Sequence, residues 1–340
     1  MLILTNGLTE VADEGFLKVA NSLIKRMKKS HGENCYILTY DRKSDLSDKH
    51  VKANKFLLNK ELIATVRSRK EEVLYVPFPA KPIATALRIF CLSCYAGKGL
   101  RVVWVQKTAL GIGAKILLKL SGAKIVVLSK SSEDYFGRVI DPRRVRYLKT
   151  GVDTKKFVPA DPQTQKSLKQ KYGFDPDRPV VLHVGHLQQG RNVEQLLMLD
   201  QNDQILLVFS TLFQKDADEE LRSRLVNAPN VRVIEEYIPN IQEVYQLADV
   251  YFFPVVEDGR CIDVPLSCLE AAACNKPVVT TAYGEMKEFL GKDGFYGIDS
   301  FEPGELNETI RMALENKTSE PRNAVLDYDW DNAAEVLMTK

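Results

Sequence analysis

The residues best placed for chemistry follow the apolar run Val250 to Phe253, which stops at Pro254. A polar loop comes next, and it carries one guanidinium and three carboxylates: Glu257, Asp258, Arg260 and Asp263. In open α/β sheets, ligands bind where strands end and helices begin. We therefore expect this loop to form part of a functional site.

A short helical pattern follows the loop, from Ser267 to Cys274. Ser267 and Glu270 have the spacing of a capping box, and Asn275 before Lys276 and Pro277 is typical of a helix end. The first-turn amides and the helix dipole would favour an anion such as a phosphate. Alternatively, Glu270 reaches back to the Ser267 amide, and spacing alone leaves both possibilities open.

A second cluster follows the predicted strand Val180 to Val184. Gly185, His186 and Arg191 lie in the loop before a predicted helix from Val193. A guanidinium has several N–H donors in one plane, which can bind two phosphate oxygens of a pyrophosphate at once. A neighbouring His adds a positive or hydrogen-bonding group. Either residue alone is compatible with an ordinary surface, but their position after a strand favours a site.

At the N-terminus, the predicted strand Met1 to Thr5 is followed by Gly7, Gly15 and a helical pattern from Phe16 to Lys29. Backbone amides in such a loop can hold a phosphate or an acceptor group. Turn geometry alone also explains both glycines.

The rest of the chain alternates strands with helices, which predicts parallel sheets covered by helices on both faces. At 340 residues the chain is expected to form two domains. The segment Tyr147 to Pro159 and the polar stretch after it resemble a linker, which places a boundary near residue 155. Predicted strands are Cys35 to Thr39, Val73 to Val76, Val102 to Val105, Ile125 to Leu128, Ile205 to Phe209, Val231 to Ile234 and Pro277 to Thr281, and predicted helices include Asp218 to Leu225, Ile241 to Leu247 and one near the C-terminus.

Residues 81–124 are both basic and apolar. A helix such as Ile112 to Leu120 is suited to an anionic membrane surface, where each Lys or Arg adds about 1 kcal/mol. The alternative is an ordinary amphipathic helix with solvated lysines. The cations are Lys81, Arg88, Lys98, Arg101, Lys107, Lys115, Lys119 and Lys124.

Composition narrows the class of protein. With 45% hydrophobic and 27% charged residues, the chain has the composition of a soluble globular protein, and a net charge of +2 is not that of a nucleic-acid-binding protein. Six dispersed cysteines favour reduced thiols and a cytoplasmic location, and the pair Cys91 and Cys94 has no partner pair for a metal site. The N-terminus lacks the pattern of a signal peptide, and no stretch has the length of a membrane span.

Together these motifs resemble the family 4 nucleotide-sugar glycosyltransferases of the GT-B fold, over nearly the whole chain. Segment 149–159, KTGVDTKKFVP, is similar to that family's N-G-V-D-x-x-x-F-x-P segment between domains. Segment 184–192, VGHLQQGRN, resembles its V-G-R-L-x-x-x-K-G loop, and 245–254, YQLADVYFFP, its Y-x-x-A-D-V-x-x-x-P strand. Segment 265–279, PLSCLEAAACNKPVV, resembles its P-L-S-V-L-E-A-M-A-C-G-x-P-V-V helix, and 283–289, YGEMKEF, its G-G-x-x-E loop.

The resemblance implies two Rossmann-like domains with parallel sheets facing a cleft: residues 1–155 for the acceptor, 156–325 for the nucleotide sugar, and a helix in 326–340 that packs back on the first domain. It implies a retaining transfer of a hexose to a lipid-linked or polysaccharide acceptor, without metal or cofactor and without nucleic acid, at the inner face of the membrane. The donor-binding residues would be Gly185, His186, Arg191, Ser267, Leu269, Glu270, Gly284 and Glu285, with Arg191 and His186 neutralising the departing diphosphate and Glu270 bonding the ribose.

The chain departs from the family pattern at three positions. The first Glu of the family's E-x7-E pair falls on Ile262. Asp263, Asp258 and Glu257 are the candidates for the missing catalytic carboxylate, and we expect Asp263 to supply it because it is adjacent. The usual His after the strand ending near Val105 is Gln106, which we place with Gly7 and Gly15 on the acceptor side. Tyr283 replaces the first glycine of the final loop. These departures motivate an alternative function, that of a nucleotide-sugar-binding or scaffolding protein without turnover.

Overall fold

The computed structural model describes residues 1–6, 8, 15–78, 80–106, 109–209 and 218–339, so Gly7 lies outside the described residues. The chain divides into two compact units. The first comprises Met1–Thr150, Ile262–Val264 and Trp330–Lys340, and the second comprises Gly151–Cys261 and Pro265–Asp329.

The first unit contains a parallel sheet of seven strands in the order β3-β2-β1-β4-β5-β6-β7. The strands are β1 (Leu2–Thr5), β2 (Tyr36–Tyr40), β3 (Lys49–Val51), β4 (Val73–Val76), β5 (Leu100–Trp104), β6 (Lys124–Val127) and β7 (Val145–Tyr147). The helices between them are α1 (Gly15–His31), α2 (Lys60–Arg69), α3 (Pro82–Ala96), α4 (Ile112–Ser121) and α5 (Lys130–Val139).

The second unit contains a parallel sheet of six strands in the order β10-β9-β8-β11-β12-β13. Its strands are β8 (Val180–Val184), β9 (Gln204–Val208), β10 (Val231–Ile234), β11 (Val250–Phe253), β12 (Val278–Thr280) and β13 (Phe295–Gly297). Its helices are α6 (Pro162–Lys171), α7 (Glu219–Asn227), α8 (Ile241–Leu247), α9 (Leu266–Ala273), α10 (Pro303–Glu315) and α11 (Arg322–Val325). The last helix of the chain, α12 (Trp330–Met338), belongs to the first unit.

Burial explains why the strands have continuous apolar sequences. Strands β1, β4 and β11 are buried at every residue, as expected for parallel strands covered on both faces. The apolar run of β11 therefore forms a central strand of the second sheet. The prediction of two Rossmann-like domains with parallel sheets is confirmed.

Some predicted elements were wrong or missed. The predicted helix from Val193 is a 3-10 helix, Val193–Met198. Strands β3, β7 and β13 were missed because each has only three residues and at most two apolar ones. Their pairing with longer neighbours, rather than their own sequence, makes them strands.

The C-terminal helix α12 packs against α1 inside the first unit. Trp330 and Leu337 are buried, at 2% and 0% exposed. Two partly exposed ion pairs flank this contact, between Arg26 and Asp331 and between His31 and Glu335. Exposed pairs contribute little, so apolar burial holds the helix in place.

Replacing Leu337→Ala is expected to lower the free energy of unfolding by about 2–5 kcal/mol, because it removes a fully buried side chain from this contact. Leu326→Ala is the control, since Leu326 is 42% exposed. Denaturant unfolding measures both variants. Equal effects of the two substitutions would contradict a packing role for α12.

Candidate functional site

The order of the second sheet brings two predicted site loops together. Strands β8 and β11 are neighbours, with Val181 beside Val250 and Leu182 beside Tyr251, although β9 follows β8 in sequence. The chain thus leaves β8 towards one side of the sheet and enters β11 on the other. Such a reversal of strand order opens a crevice at the carboxyl ends of the strands, where α/β proteins bind ligands.

Gly185 lies at the end of β8, between two buried side chains. A Cβ atom at this position would lie 2.9 Å from His183 Nε2 and 3.0 Å from Arg191 Nη1. Real Cβ contacts are rarely that short, so a larger residue would push the imidazole or the guanidinium aside. The missing side chain therefore allows Arg191 to lie directly over the end of the strand.

Arg191 connects the loop after β8 to the loop after β11. Its guanidinium is 7% exposed, and its Nε donates a hydrogen bond of 2.9 Å to the Arg260 carbonyl. The next residue, Asn192, has φ 55° and donates from Nδ2 to the Pro254 carbonyl at 3.1 Å. These two adjacent side chains hold the backbone of the loop that was predicted to carry chemistry.

The same loop closes over Gly190. Glu257 and Arg260 form an ion pair of 3.0 Å. A Cβ atom at Gly190, where φ is +82°, would meet the Glu257 carboxylate and the Arg260 Nε. Glu257 and Arg260 are about half exposed, so the pair positions the loop more than it stabilises the fold.

Helix α9 begins at Leu266, and its N-cap is Pro265, which makes no side-chain capping bond. The predicted capping box is therefore wrong. Glu270 is 2% exposed and accepts a 2.8 Å hydrogen bond from the Tyr245 hydroxyl, while the Ser267 hydroxyl bonds Tyr251. Glu270 and Ser267 are therefore bonded by tyrosines of α8 and β11, not by each other's backbone amides as in a capping box.

The end of the helix follows the sequence prediction. Asn275 adopts a left-handed conformation with φ 58°, just before Lys276 and Pro277. Asn tolerates that conformation better than most residues.

The loop after β12 brings two more buried groups to this unit. Glu285 is 1% exposed and accepts a 2.7 Å hydrogen bond from the Tyr328 hydroxyl, directly after Gly284. The Tyr283 hydroxyl donates to the Cys261 carbonyl at 2.6 Å and accepts from the Cys261 amide at 3.1 Å. Tyr283 therefore fixes the loop next to Ile262, a contact that the sequence did not reveal.

Asp263, predicted to supply a catalytic carboxylate, is assigned to the first unit. It is 2% exposed, and its carboxylate accepts hydrogen bonds from the hydroxyls of Ser129, at 3.1 Å, and Ser132. Ser129 is the N-cap of α5, so the carboxylate also lies at the positive end of a helix. Its contacts are those of a buried anchor, and its proposed role towards a sugar stays a prediction.

The other first-unit residues lie close to α1 and β5. The Ile262 side chain approaches Gly15, where an added Cβ would be 3.3 Å from Ile262 Cδ1. The apolar residue that replaces the family's Glu thus covers the first turn of α1. Gln106 follows β5, and its carbonyl accepts a 2.6 Å bond from Trp104 Nε1.

Helix α4 carries an exposed apolar stripe. Ile112, Ile116 and Leu120 are 79%, 51% and 67% exposed and recur every four residues on one face. Lys115 and Lys119 lie between them in sequence. Residues 73–132 contain nine Lys and Arg and no Asp or Glu. The apolar stripe therefore belongs to a stretch of uniformly positive charge.

The described residues lack two features, a membrane-spanning helix and a metal-binding cluster. No helix in the described ranges is long and apolar enough to cross a membrane. Among these same residues, no group of three or more His, Cys, Asp or Glu is placed to hold a metal ion.

Residues 178–316 match the protein family described as Glycosyl transferases group 1. The matched segment runs from β8 to the end of α10 and includes the loops that carry Arg191 and Glu285. It is 27% identical over 207 residues to the alpha-maltose-1-phosphate synthase of Mycolicibacterium smegmatis, covering 57% of this chain and 50% of that protein. It is 28% identical over 184 residues to a GDP-mannose-dependent mannosyltransferase of Corynebacterium glutamicum, covering 50% and 47%. The chain thus spans about half the length of these curated relatives.

Solved structures share the fold over almost the whole of this chain. A glycosyltransferase from Rickettsia africae has a TM-score of 0.78 at 12% identity, covering 99% of this chain and 96% of that one. HepE from Anabaena, solved in complex with UDP-glucose, has a TM-score of 0.72 at 16% identity, covering 99% of both. These neighbours confirm the predicted GT-B fold.

Replacing Asp263→Ala is expected to lower the free energy of unfolding by about 2–4 kcal/mol, since two buried hydroxyls lose their acceptor and α5 loses an anion at its N-terminus. Asp258→Ala is the matched control, because Asp258 is exposed, and its effect should stay within about 0.5 kcal/mol. Thermal and denaturant unfolding test both. Unchanged stability in Asp263→Ala would show that the carboxylate is no anchor.

Proposed function

We propose that this protein is a retaining glycosyltransferase that moves a hexose from a nucleotide sugar to a lipid-linked or glycan acceptor. The observation that carries the proposal is the Arg191 guanidinium, which lies over Gly185 at the carboxyl end of β8. The surrounding unit matches the group 1 family, and a structural neighbour binds UDP-glucose. Both support a nucleotide-sugar donor in the second unit.

The chemistry would centre on the leaving group. The bond between the anomeric carbon and the diphosphate oxygen breaks, and the diphosphate keeps the electron pair. Arg191 and His186 would stabilise this growing negative charge, as preorganised donors do in other group transfers. The acceptor oxygen bonds the anomeric carbon on the face that the diphosphate leaves, and its proton passes to the departing phosphate.

The remaining donor contacts come from elements of the same unit. Glu270 would bond the ribose, with Ser267 and Leu269 beside it on α9, and Gly284 and Glu285 would meet the sugar and its phosphate. Tyr245 and Tyr328 hold the two carboxylates in place before any ligand arrives. Because Arg191 supplies fixed positive charge, we propose that transfer needs neither metal nor cofactor.

The acceptor would bind the first unit, near Gly15 and Gln106, and the exposed face of α4 would bind an anionic membrane. Ile112, Ile116 and Leu120 would enter the interface between headgroups and acyl chains, while Lys115 and Lys119 contact lipid phosphates. The six cysteines of the chain are free, as in reducing compartments. This supports a location at the cytoplasmic face of a membrane.

A nucleotide-sugar-binding or scaffolding protein without turnover is the second candidate. It is favoured by Ile262, which puts an apolar side chain against Gly15 where the family has a carboxylate. Slow hydrolysis of a nucleotide sugar that is lost in Arg191→Ala would rule this candidate out.

The donor prediction is tested by a thermal-shift screen with UDP-, GDP-, ADP- and dTDP-glucose in the presence of a chelator. One nucleotide sugar should raise the melting temperature by several degrees at about 100 times its Kd. Arg191→Ala and Glu270→Ala should reduce the shift strongly at the same ligand concentration, whereas the exposed Arg232→Ala, in the same unit, should keep it. Loss of the shift in Arg232→Ala as well would contradict a local role for Arg191, and a shift that requires Mg²⁺ would contradict metal independence.

The membrane prediction is tested by co-sedimentation with vesicles of phosphatidylserine and phosphatidylcholine at low salt. The double variant Ile112→Ser, Leu120→Ser should bind at least tenfold more weakly, because two exposed apolar side chains no longer enter the lipid. Met312→Ser, an exposed residue of α10 in the second unit, is the control. Equal binding to pure phosphatidylcholine would contradict the role of the lysines.

A further inference from the structure

His183 is a polar side chain in the centre of the second sheet. It lies on β8 next to Leu182 and is completely buried. Its ring stacks against Tyr251 of β11, with the ring centroids 6.4 Å apart and the planes 12° from parallel. A purely apolar residue would fill this position equally well if packing were its only role.

Hydrogen bonding fixes the tautomer of this ring. Nδ1 lies 2.9 Å from the Phe252 carbonyl oxygen. A carbonyl only accepts, so Nδ1 carries the proton, and in the neutral ring Nε2 is then a lone-pair acceptor. Burial lowers the pKa of His183 to about 4, and the nearby Arg191 cation acts in the same direction. The imidazole is therefore neutral at physiological pH.

Nε2 of His183 is buried and has no hydrogen-bond partner among the described residues. Leaving a buried acceptor unsatisfied costs about 1–3 kcal/mol. Nε2 and Arg191 Nη1 lie 2.9 and 3.0 Å from the position that a Gly185 Cβ would occupy. The unsatisfied acceptor therefore lies within 6 Å of a donor.

We propose that His183 is a positioning residue for Arg191: Nε2 accepts a hydrogen bond from Nη1 when a diphosphate binds, and so aims the guanidinium at the phosphates. This inference rests on the proposed function of the second unit. Arg191 Nε already donates to the Arg260 carbonyl. A second hydrogen bond, from Nη1 to His183 Nε2, would therefore fix the plane of the guanidinium at two points. Nη2 and the other hydrogen of Nη1 remain for the ligand.

A neutral acceptor suits this task better than a carboxylate. A carboxylate in the same place would pair with the guanidinium and cancel much of the charge that a diphosphate needs. A neutral imidazole orients the guanidinium and leaves its charge intact. Gly185 is also required for this arrangement, because a Cβ atom at this position would occupy the space between His183 Nε2 and Arg191 Nη1 in which the hydrogen bond forms.

The proposal is tested by a double-mutant cycle on donor binding, titrating UDP-, GDP-, ADP- and dTDP-glucose calorimetrically. His183→Asn keeps an amide donor near the position of Nδ1 but lacks an acceptor at the position of Nε2. It should weaken binding about tenfold, while His183→Gln, whose longer amide reaches that position, should recover part of the loss. In an Arg191→Ala background, His183→Asn should have no further effect, since the residue it acts through is gone.

Full additivity of the two substitutions, or wild-type affinity in His183→Asn, would overturn the inference while leaving the donor site intact. If the wild type bound none of the four nucleotide sugars, the proposed function would fall and this inference with it.

A second measurement needs no ligand and guards against variants that fail to fold. Long-range ¹H–¹⁵N NMR of the four histidines should show one ring protonated only at Nδ1, and His183→Gln should remove that ring's signals from the spectrum. A His183 ring protonated at Nε2 would exclude the proposed bond.

Discussion

The close approach of two side chains to Gly185 sets the geometry of the second unit's site. His183 and Arg191 each lie about 3 Å from the place where a side chain would begin. Any residue other than glycine would displace the imidazole or the guanidinium, and movement of the guanidinium would break its bond to the Arg260 carbonyl, which holds the loop after β11. The position of the charge and the shape of the loop therefore depend on one missing side chain.

The loop after β11 is long, yet side-chain donors hold its backbone at several points. Four carbonyls of the loop accept hydrogen bonds from side chains: Pro254 from Asn192, Val255 from Thr281, Arg260 from Arg191, and Cys261 from Tyr283. Fixing a residue costs about 1–2 kcal/mol of conformational entropy, and these bonds offset part of that cost before any ligand binds. Such preorganisation leaves less of the loop to be ordered when a ligand binds.

Much of this architecture could be predicted from sequence because its signals are local. Strands β8, β10 and β11 and helix α8 have the bounds that their apolar runs predict, and Gly185 and Arg191 stand out by following a strand. The rest depends on partners far away in sequence. The S-x-x-E spacing predicted a capping box, but Glu270 is hydrogen-bonded to Tyr245 and Ser267 to Tyr251 instead. His183 was not predicted as a site residue, because it is one polar residue in an apolar strand, and only the structure places its Nε2 near Arg191.

The placement of α12 also affects the order in which the protein can fold. Translation produces residues 1–150 first, but the first unit also includes Ile262–Val264 and the helix that begins at Trp330. In a nascent chain, the face of α1 therefore stays uncovered until residues 330–338 have been added. The second unit is continuous apart from the three-residue segment 262–264. Of the two units, the one whose synthesis begins first would be completed second, and its uncovered α1 face is where chaperones would find exposed apolar surface.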